Sequence, residues 1–265
     1  MRFLFALPPA FLPLAPCYLC GLFLIDCMRF MEDVVDESVA MQPMHPALFD
    51  DYLAEGWRLL GYSIIRHSVS ICRGEMCGTV PLRIRLDGFE FSKSQRQLLR
   101  RNAHLQVRSG PIRLTEEKHL LFLRHAERFD ERKPGSLNTF LSDRSHREPV
   151  PGTELSLILP NEPAPVGYSF YHTGQEAVCG TYCFFDPNYA KFSPGLYLML
   201  LEIQRAQAAG KRFYYPGYCY DVPSHFDYKL NFNNLETMDW KTGIWTSRPK
   251  SRTMDGGRVA VEGKD

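Results

Sequence analysis

Residues 178–245 constrain the fold more than any other part of the chain, because a strand, a turn, an amphipathic helix and a second strand follow one another there with almost no slack. Ser193 suits an N-cap, and Pro194 the first helical position, where a missing N–H is harmless. Leu196, Met199, Leu200 and Ile203 recur at i, i+3, i+4 and i+7, so one face is apolar, with Glu202, Gln204 and Arg205 off it. Gly210 suits a left-handed cap at the far end. The run 178–185 is rich in aromatic and β-branched residues, Asp186-Pro187-Asn188 makes the turn, and a strand starting at Arg212 ends at Gly217-Tyr218. Strand, helix and strand at this spacing predict a βαβ crossover with parallel strands.

Two more strands are predicted upstream, at 155–159 and 166–171, the second joined to 178–185 through His172-Thr173-Gly174-Gln175. Three strands in a meander, then a helix and a parallel strand, follow the order of the central half of a GNAT-type acyltransferase, where substrate lies between the last two strands. The expectation is an α+β chain with a mixed sheet and helices on both faces.

Further upstream, 46–57 reads as a short helix opened by Pro46, and 61–69 as a strand. Val80 to Leu86 alternates apolar and basic side chains, as a half-buried strand with one positive face would. Ser92 and Gln95 form a capping box ahead of a helix whose Leu98, Leu99 and Leu105 point inward. A helix over 115–129 is capped by Thr115, with Glu116 and Glu117 in its first turn. Pro134-Gly135 breaks the chain, 136–142 suits a short helix, and 143–152 is a polar loop. The organisation expected is therefore an N-terminal region 1–142, a C-terminal region 143–248, and a tail 249–265 with too little apolar surface to order itself.

A 265-residue chain with 45% hydrophobic residues can bury one large core or two modest ones, and a net charge of +1 excludes a global basic field. A polyanion site must then be local. Between residues 83 and 108, Arg83, Arg85, Lys93, Arg96, Arg100, Arg101 and Arg108 face only Asp87 and Glu90. This patch can attract a phosphate backbone in a salt-dependent way, or be a solvated face without a partner. The N-terminus imitates a secretory signal, but prolines interrupt its apolar run and no small-x-small cleavage site follows, so a cytoplasmic protein with reduced thiols and no membrane span is expected. Among the eight cysteines, the Cys17/Cys20 and Cys72/Cys77 pairs can hold zinc or an iron–sulfur cluster, or be ordinary buried thiols.

Val80-Pro81-Leu82-Arg83-Ile84, Phe91-Ser92-Lys93-Ser94-Gln95-Arg96 with Asn102, and Thr181-Tyr182-Cys183-Phe184-Phe185-Asp186-Pro187 occur in order, followed by Gly195, Gly210, Gly217-Tyr218, Tyr228-Lys229, Phe232 and Leu235-Glu236. This ordered set resembles the aminoacyl-tRNA–protein transferases of the N-end rule, the arginyl-transferring family and its bacterial leucyl-transferring relatives. The resemblance implies two GNAT-like halves, an aminoacyl-tRNA donor, an acceptor protein beginning with Asp or Glu, and a metal or cluster on Cys17, Cys20 and later cysteines. It implies no organic cofactor and no DNA partner, and a monomer is expected.

Aminoacyl transfer from an ester to an amine needs alignment and oxyanion stabilisation more than a nucleophile. Backbone N–H groups at Ser193 to Gly195 suit the oxyanion or a terminal phosphate. Tyr182, Tyr218 and Tyr228 are candidates to line the cleft, or are core. Asp186 either orders the turn or accepts a proton. Lys229, alone or with Arg96, can pair with the acceptor's acidic side chain, and Lys93, Arg100 and Arg101 with tRNA. Two other readings are an acyl-CoA-dependent acetyltransferase, whose glycine-rich phosphate turn Lys191 to Leu196 matches poorly, and a thiol-based metal-binding, RNA-binding protein without catalysis.

Overall fold

The computed structural model describes residues 34–129, 133–160 and 162–248. The chain divides into Met1–Val34 and Val35–Asp265, and the architecture below is that of the second unit. Cys17 and Cys20, the signal-like N-terminus and the tail 249–265 lie outside the described residues.

The centre is a mixed sheet in the order β12-β11-β5-β10-β9-β8-β7-β6. Its strands are β5 (Glu75–Arg85), β6 (Gln106–Pro111), β7 (Gly152–Ile158), β8 (Gly167–Thr173), β9 (Ala177–Phe185), β10 (Phe213–Tyr220), β11 (Leu235–Met238) and β12 (Trp245–Ser247). Only β9 and β10 run parallel within it. The hairpin strand β4 (Val69–Cys72) extends β5, and β1 (Asp36–Ala40), β2 (Arg58–Leu60) and β3 (Ser63–His67) form a separate small sheet. The division expected at residues 142 and 143 is no boundary in the main sheet. β5 and β6, from before it, are hydrogen-bonded to β10, β11 and β7, from after it.

Four helices cover both faces: α1 (Pro46–Ala54), α2 (Lys93–Arg101), α3 (Glu116–Ala126) and α4 (Pro194–Ala208). On one face, Leu198, Leu200 and Ile203 of α4 and Leu98 of α2 bury against Leu82, Ile84, Leu157, Val178 and Tyr214. On the other, Phe49 and Leu53 of α1 pack with Leu59, Cys179 and Tyr215, while Leu121 and Phe122 of α3 pack with Tyr168, Phe170 and Phe184. The expected helix 136–142 is only a 3₁₀ turn at Leu137–Thr139.

Local chemistry explains the helix ends. Ser92 and Gln95 close the capping box of α2 as expected, and Thr115 caps α3. Gly210 takes φ +68 after α4, with Gly210 N–H on Gln207 and Lys211 N–H on Ala206, the two bonds of a Schellman stop. Ser193 departs from expectation: it lies in the left-handed region at φ 50, ψ 53, and its side chain caps nothing.

Candidate active site

The ladder between β9 and β10 holds only from Phe213/Ala177 to Tyr215/Cys179 and then opens. The next residue of β10 is Pro216, which has no N–H to continue it. Gly217 follows at φ +84, and the pairing of β10 with β5 carries a bulge between Tyr214 and Gly217. Opposite, β9 has a bulge of its own, since Phe170 faces Tyr182 but Tyr171 faces Gly180, leaving Thr181 extra. Two irregular strands side by side cannot stay paired, and past the split Gly180 to Cys183 and Gly217 regain solvent contact.

The split is lined by chemistry from three elements. Glu202, expected off the apolar face of α4, is 3% exposed, and its Oε2 accepts the Tyr214 hydroxyl at 2.6 Å. Burial pushes this carboxyl up to about 8. Gly180 faces the pair: a Cβ there would lie 2.5 Å from Tyr214 Oη and 3.1 Å from Glu202 Oε2. Tyr228 is 42% exposed, yet its hydroxyl is raised well above the ordinary range, by burial first and then by Cys183 and Glu202. Burial also raises the thiols of Cys179, to about 12, and of Cys183, so neither supplies a thiolate nucleophile near neutral pH.

The start of α4 closes one end. A Cβ on Gly195 would be 3.3 Å from the Phe185 ring and 3.9 Å from Cys183 Sγ, which sets the first turn of the helix against β9. With Ser193 turned into the left-handed region, the N–H groups of Gly195 and Leu196 have no side-chain cap. Asn102, fully buried, ties α2 to this corner through Nδ2 to the Phe192 carbonyl at 2.7 Å, and Tyr197 Oη donates to the Asn102 carbonyl at 3.1 Å. Lys93, Arg100 and Arg101 are exposed on α2, in no ion pair among the described residues.

Other candidates sit elsewhere. Asp186 caps the 3₁₀ turn Pro187–Phe192, its Oδ1 accepting from Asn188 N–H at 3.0 Å, while Oδ2 lies 3.5 Å from Arg124 of α3, so one oxygen serves the turn and the other ties it to that helix. Tyr182 points to the α3 face, stacked on Phe140 with ring centroids 3.7 Å apart. Tyr218 is buried, its hydroxyl bound to the Gly56 carbonyl, so it supports the cleft from below. Lys229 is buried over Gly217, with Nζ donating to the Tyr218 carbonyl at 3.1 Å. Arg96 is exposed on α2, bonded to the Phe91 carbonyl, and no contact joins it to Lys229. Arg83 leaves the basic patch altogether: it pairs with Glu236 at 2.7 Å between Phe213 and Trp245. His172 is no base here, because burial holds it near 4 and its nitrogens fix Thr181 and the Ser145 carbonyl.

Cys72 and Cys77, expected as reduced thiols, are joined in a disulfide. Arg73 and Gly74, both at positive φ, make a two-residue turn that sets the two cysteines diagonally across the β4–β5 ladder, 5.8 Å apart at Cα. Reduced, they offer half of a four-sulfur set. Among the described residues no three ligating side chains converge.

Sequence signals for the residues missed were faint. Glu202 is a lone acid inside Gly195 to Ile203, and Pro216-Gly217 interrupts a strand. Arg58 carried no motif.

Residues 117–239 match the family model of the arginine-tRNA-protein transferase C terminus. An aspartate/glutamate leucyltransferase of Saccharophagus degradans is 27% identical over 203 residues, covering 74% of this chain and 84% of that protein. One from Paracoccus denitrificans is 30% identical over 189 residues, covering 62% of each chain. Among solved structures, L-PGS from Bacillus licheniformis aligns with a TM-score of 0.41 at 15% identity, over 68% of this chain and 52% of that one. Among the described residues, no helix is long and apolar enough to cross a membrane. The family model lies across the split strands, the helix start and Lys229, and over these residues the chain is similar to the arginine-tRNA-protein transferases.

Proposed function

We propose that this chain transfers an amino acid, leucine or arginine, from aminoacyl-tRNA to the N-terminal amine of proteins beginning with Asp or Glu, marking them for degradation. The similarity to aspartate/glutamate leucyltransferases favours leucine. The observation that carries the reading is the opening between β9 and β10 at the foot of α4, with two uncapped N–H groups at one end and the Glu202–Tyr214 pair at its apex. We read the fold as GNAT-like in two halves, of which β7, β8, β9, α4 and β10 form one.

The aminoacyl ester is already activated, so the protein's work is placement and charge. The N–H groups of Gly195 and Leu196 face the carbonyl oxygen as it becomes an oxyanion, and donate to it. The acceptor amine attacks from within the split and forms the C–N bond as the ester C–O bond breaks. Glu202, with a carboxyl at about 8, is matched to an α-ammonium that titrates at about 7.7–8.0, and takes its proton through Tyr214. The second proton, which the attacking nitrogen loses as the amide forms, passes to the departing ribose oxygen, directly or relayed by the neighbouring hydroxyl or a water. Lys93, Arg100 and Arg101 hold the acceptor stem. The protein works as a cytoplasmic monomer, where charged tRNA is found, and needs no organic cofactor.

The zinc or iron–sulfur cluster that the resemblance implies would draw on Cys72 and Cys77 only once their disulfide is reduced, and on Cys17 and Cys20, which lie outside the described residues.

The test is a panel of tRNAs charged with Leu, Arg, Phe or Met, each incubated with peptides starting with Asp, Glu or Ala. Labelling of the acidic-start peptides from one charged tRNA is expected. Labelling from acetyl-CoA instead would overturn the reading.

A further inference from the structure

Lys229 is not alone in the split. Arg58 of β2 lies with its guanidinium 5.1 Å from the centroid of the Tyr218 ring, while Lys229 Nζ holds the carbonyl of that same tyrosine at 3.1 Å. Both cations act on the Cys179 thiol, at the last rung of the β9–β10 ladder. Arg58 is partly exposed, Lys229 is buried, and neither forms an ion pair among the described residues. The neighbouring Arg66 is satisfied by Glu37 at 2.9 Å and Glu55 at 3.6 Å.

Two cations held on the same tyrosine, with no counter-charge among the described residues, repel, and burial adds a desolvation penalty. The strain is visible in Lys229, whose ammonium is pushed down to about 7, by burial first and then by Arg58. Such a pair is held together when an anion completes it. Lys229 spends one N–H on Tyr218 and lies 4.7 Å from the centroid of the Phe226 ring, and among the described residues the Arg58 guanidinium pairs with no carboxylate. Gly217, without a side chain, leaves the space next to Nζ open: a Cβ there would meet nothing within 4 Å except Nζ itself, at 3.7 Å.

We infer that Arg58 and Lys229 together form the carboxylate site that reads the first side chain of the acceptor, in place of the Lys229–Arg96 combination. The inference rests on the transferase reading. Its geometry separates the two substrates: the aminoacyl ester lies on the α4 side, by Cys183 and Gly195, and the acidic side chain on the α1 side, by Arg58. The amine reaches the ester through the gap. A site built from two cations would accept Asp or Glu and reject Asn or Gln, whose neutral amides leave both charges without a partner.

The experiment compares wild type with Arg58→Gln and, separately, Lys229→Met, each checked for an unchanged thermal midpoint. Transfer to peptides identical except for a first residue of Asp, Asn or Ala is measured beside equilibrium binding of the same peptides, which needs no turnover. Expected for Arg58→Gln is a KM for the Asp-start peptide raised about 10- to 100-fold, KM for charged tRNA unchanged, and Asp-over-Asn preference nearly lost. Arg58→Lys should keep most of the preference. A folded Arg58→Gln or Lys229→Met protein that prefers Asp over Asn by the wild-type margin overturns the proposal. If wild type binds Asp-start peptides selectively but transfers nothing, the transferase reading falls and the carboxylate site stands. If it transfers without distinguishing Asp from Asn, the reverse holds.

Discussion

Replacing Glu202 by Gln isolates the most perturbed carboxyl in the cleft. The side chain is 3% exposed and moves from an ordinary value of 4.5 to about 8 because burial disfavours its charged form. A carboxyl raised on folding binds its proton more tightly in the native state, so its contribution to stability is whole below pH 4.5 and is lost as pH rises towards 8. Over that full window the loss amounts to about 5 kcal/mol, of which about 3 kcal/mol is incurred by pH 7. Gln keeps an oxygen for the Tyr214 hydroxyl and does not titrate. Urea unfolding of both proteins at pH 5, 6, 7 and 8 should show wild-type stability falling relative to Glu202→Gln by about 1.4 kcal/mol per pH unit. Groups common to both proteins cancel in the difference. The Tyr214 hydroxyl bond lowers the Glu202 value, so in a Tyr214→Phe background the same decline should extend to higher pH. A difference that is flat between pH 5 and 8, or that rises, would refute the assignment of a buried, raised carboxyl and with it the proton carrier proposed for the amine.

The exposed basic face of α2 should matter for tRNA and not for the fold. Arg100→Ala with Arg101→Ala is expected to weaken tRNA binding by about tenfold at low salt, with a shallower dependence on salt concentration, and unchanged binding would remove α2 from the interface. For the cysteines, protein prepared anaerobically with reductant should carry near-stoichiometric zinc or iron by elemental analysis, lost on Cys72→Ser with Cys77→Ser. Equal metal content in wild type and variant would return this pair to the hairpin disulfide alone.

Local signals carried a large part of the fold. α4 begins at Pro194 and stops at Gly210, and the Ser92–Gln95 box opens α2, as the sequence predicts. Periodicity, caps and turns act within a few residues, so the chain itself records them. Motif residues converge in the same way: Gly195, Lys229 and Asn102 all lie at the candidate cleft or its corner. Roles were less legible. Tyr218 and Tyr182 are aromatic residues beside the split, but one is buried beneath it and the other faces α3, because β10 is irregular between Tyr214 and Gly217 and β9 carries an extra residue at Thr181, which breaks simple alternation on each strand.

The chain's own order of residues determined which segments are helix and strand, where they stop, and which known family it resembles. Three-dimensional packing alone decided which charges meet. Arg83 belongs to Glu236 once β11 pairs with β5, Glu202 becomes a raised carboxyl once it is buried beside Tyr214 and β9, and Arg58 comes over the Tyr218 ring, whose carbonyl Lys229 holds, only when the small sheet packs against the main one. The physical reason is that desolvation and Coulomb coupling depend on distance through space, which no spacing along the chain encodes.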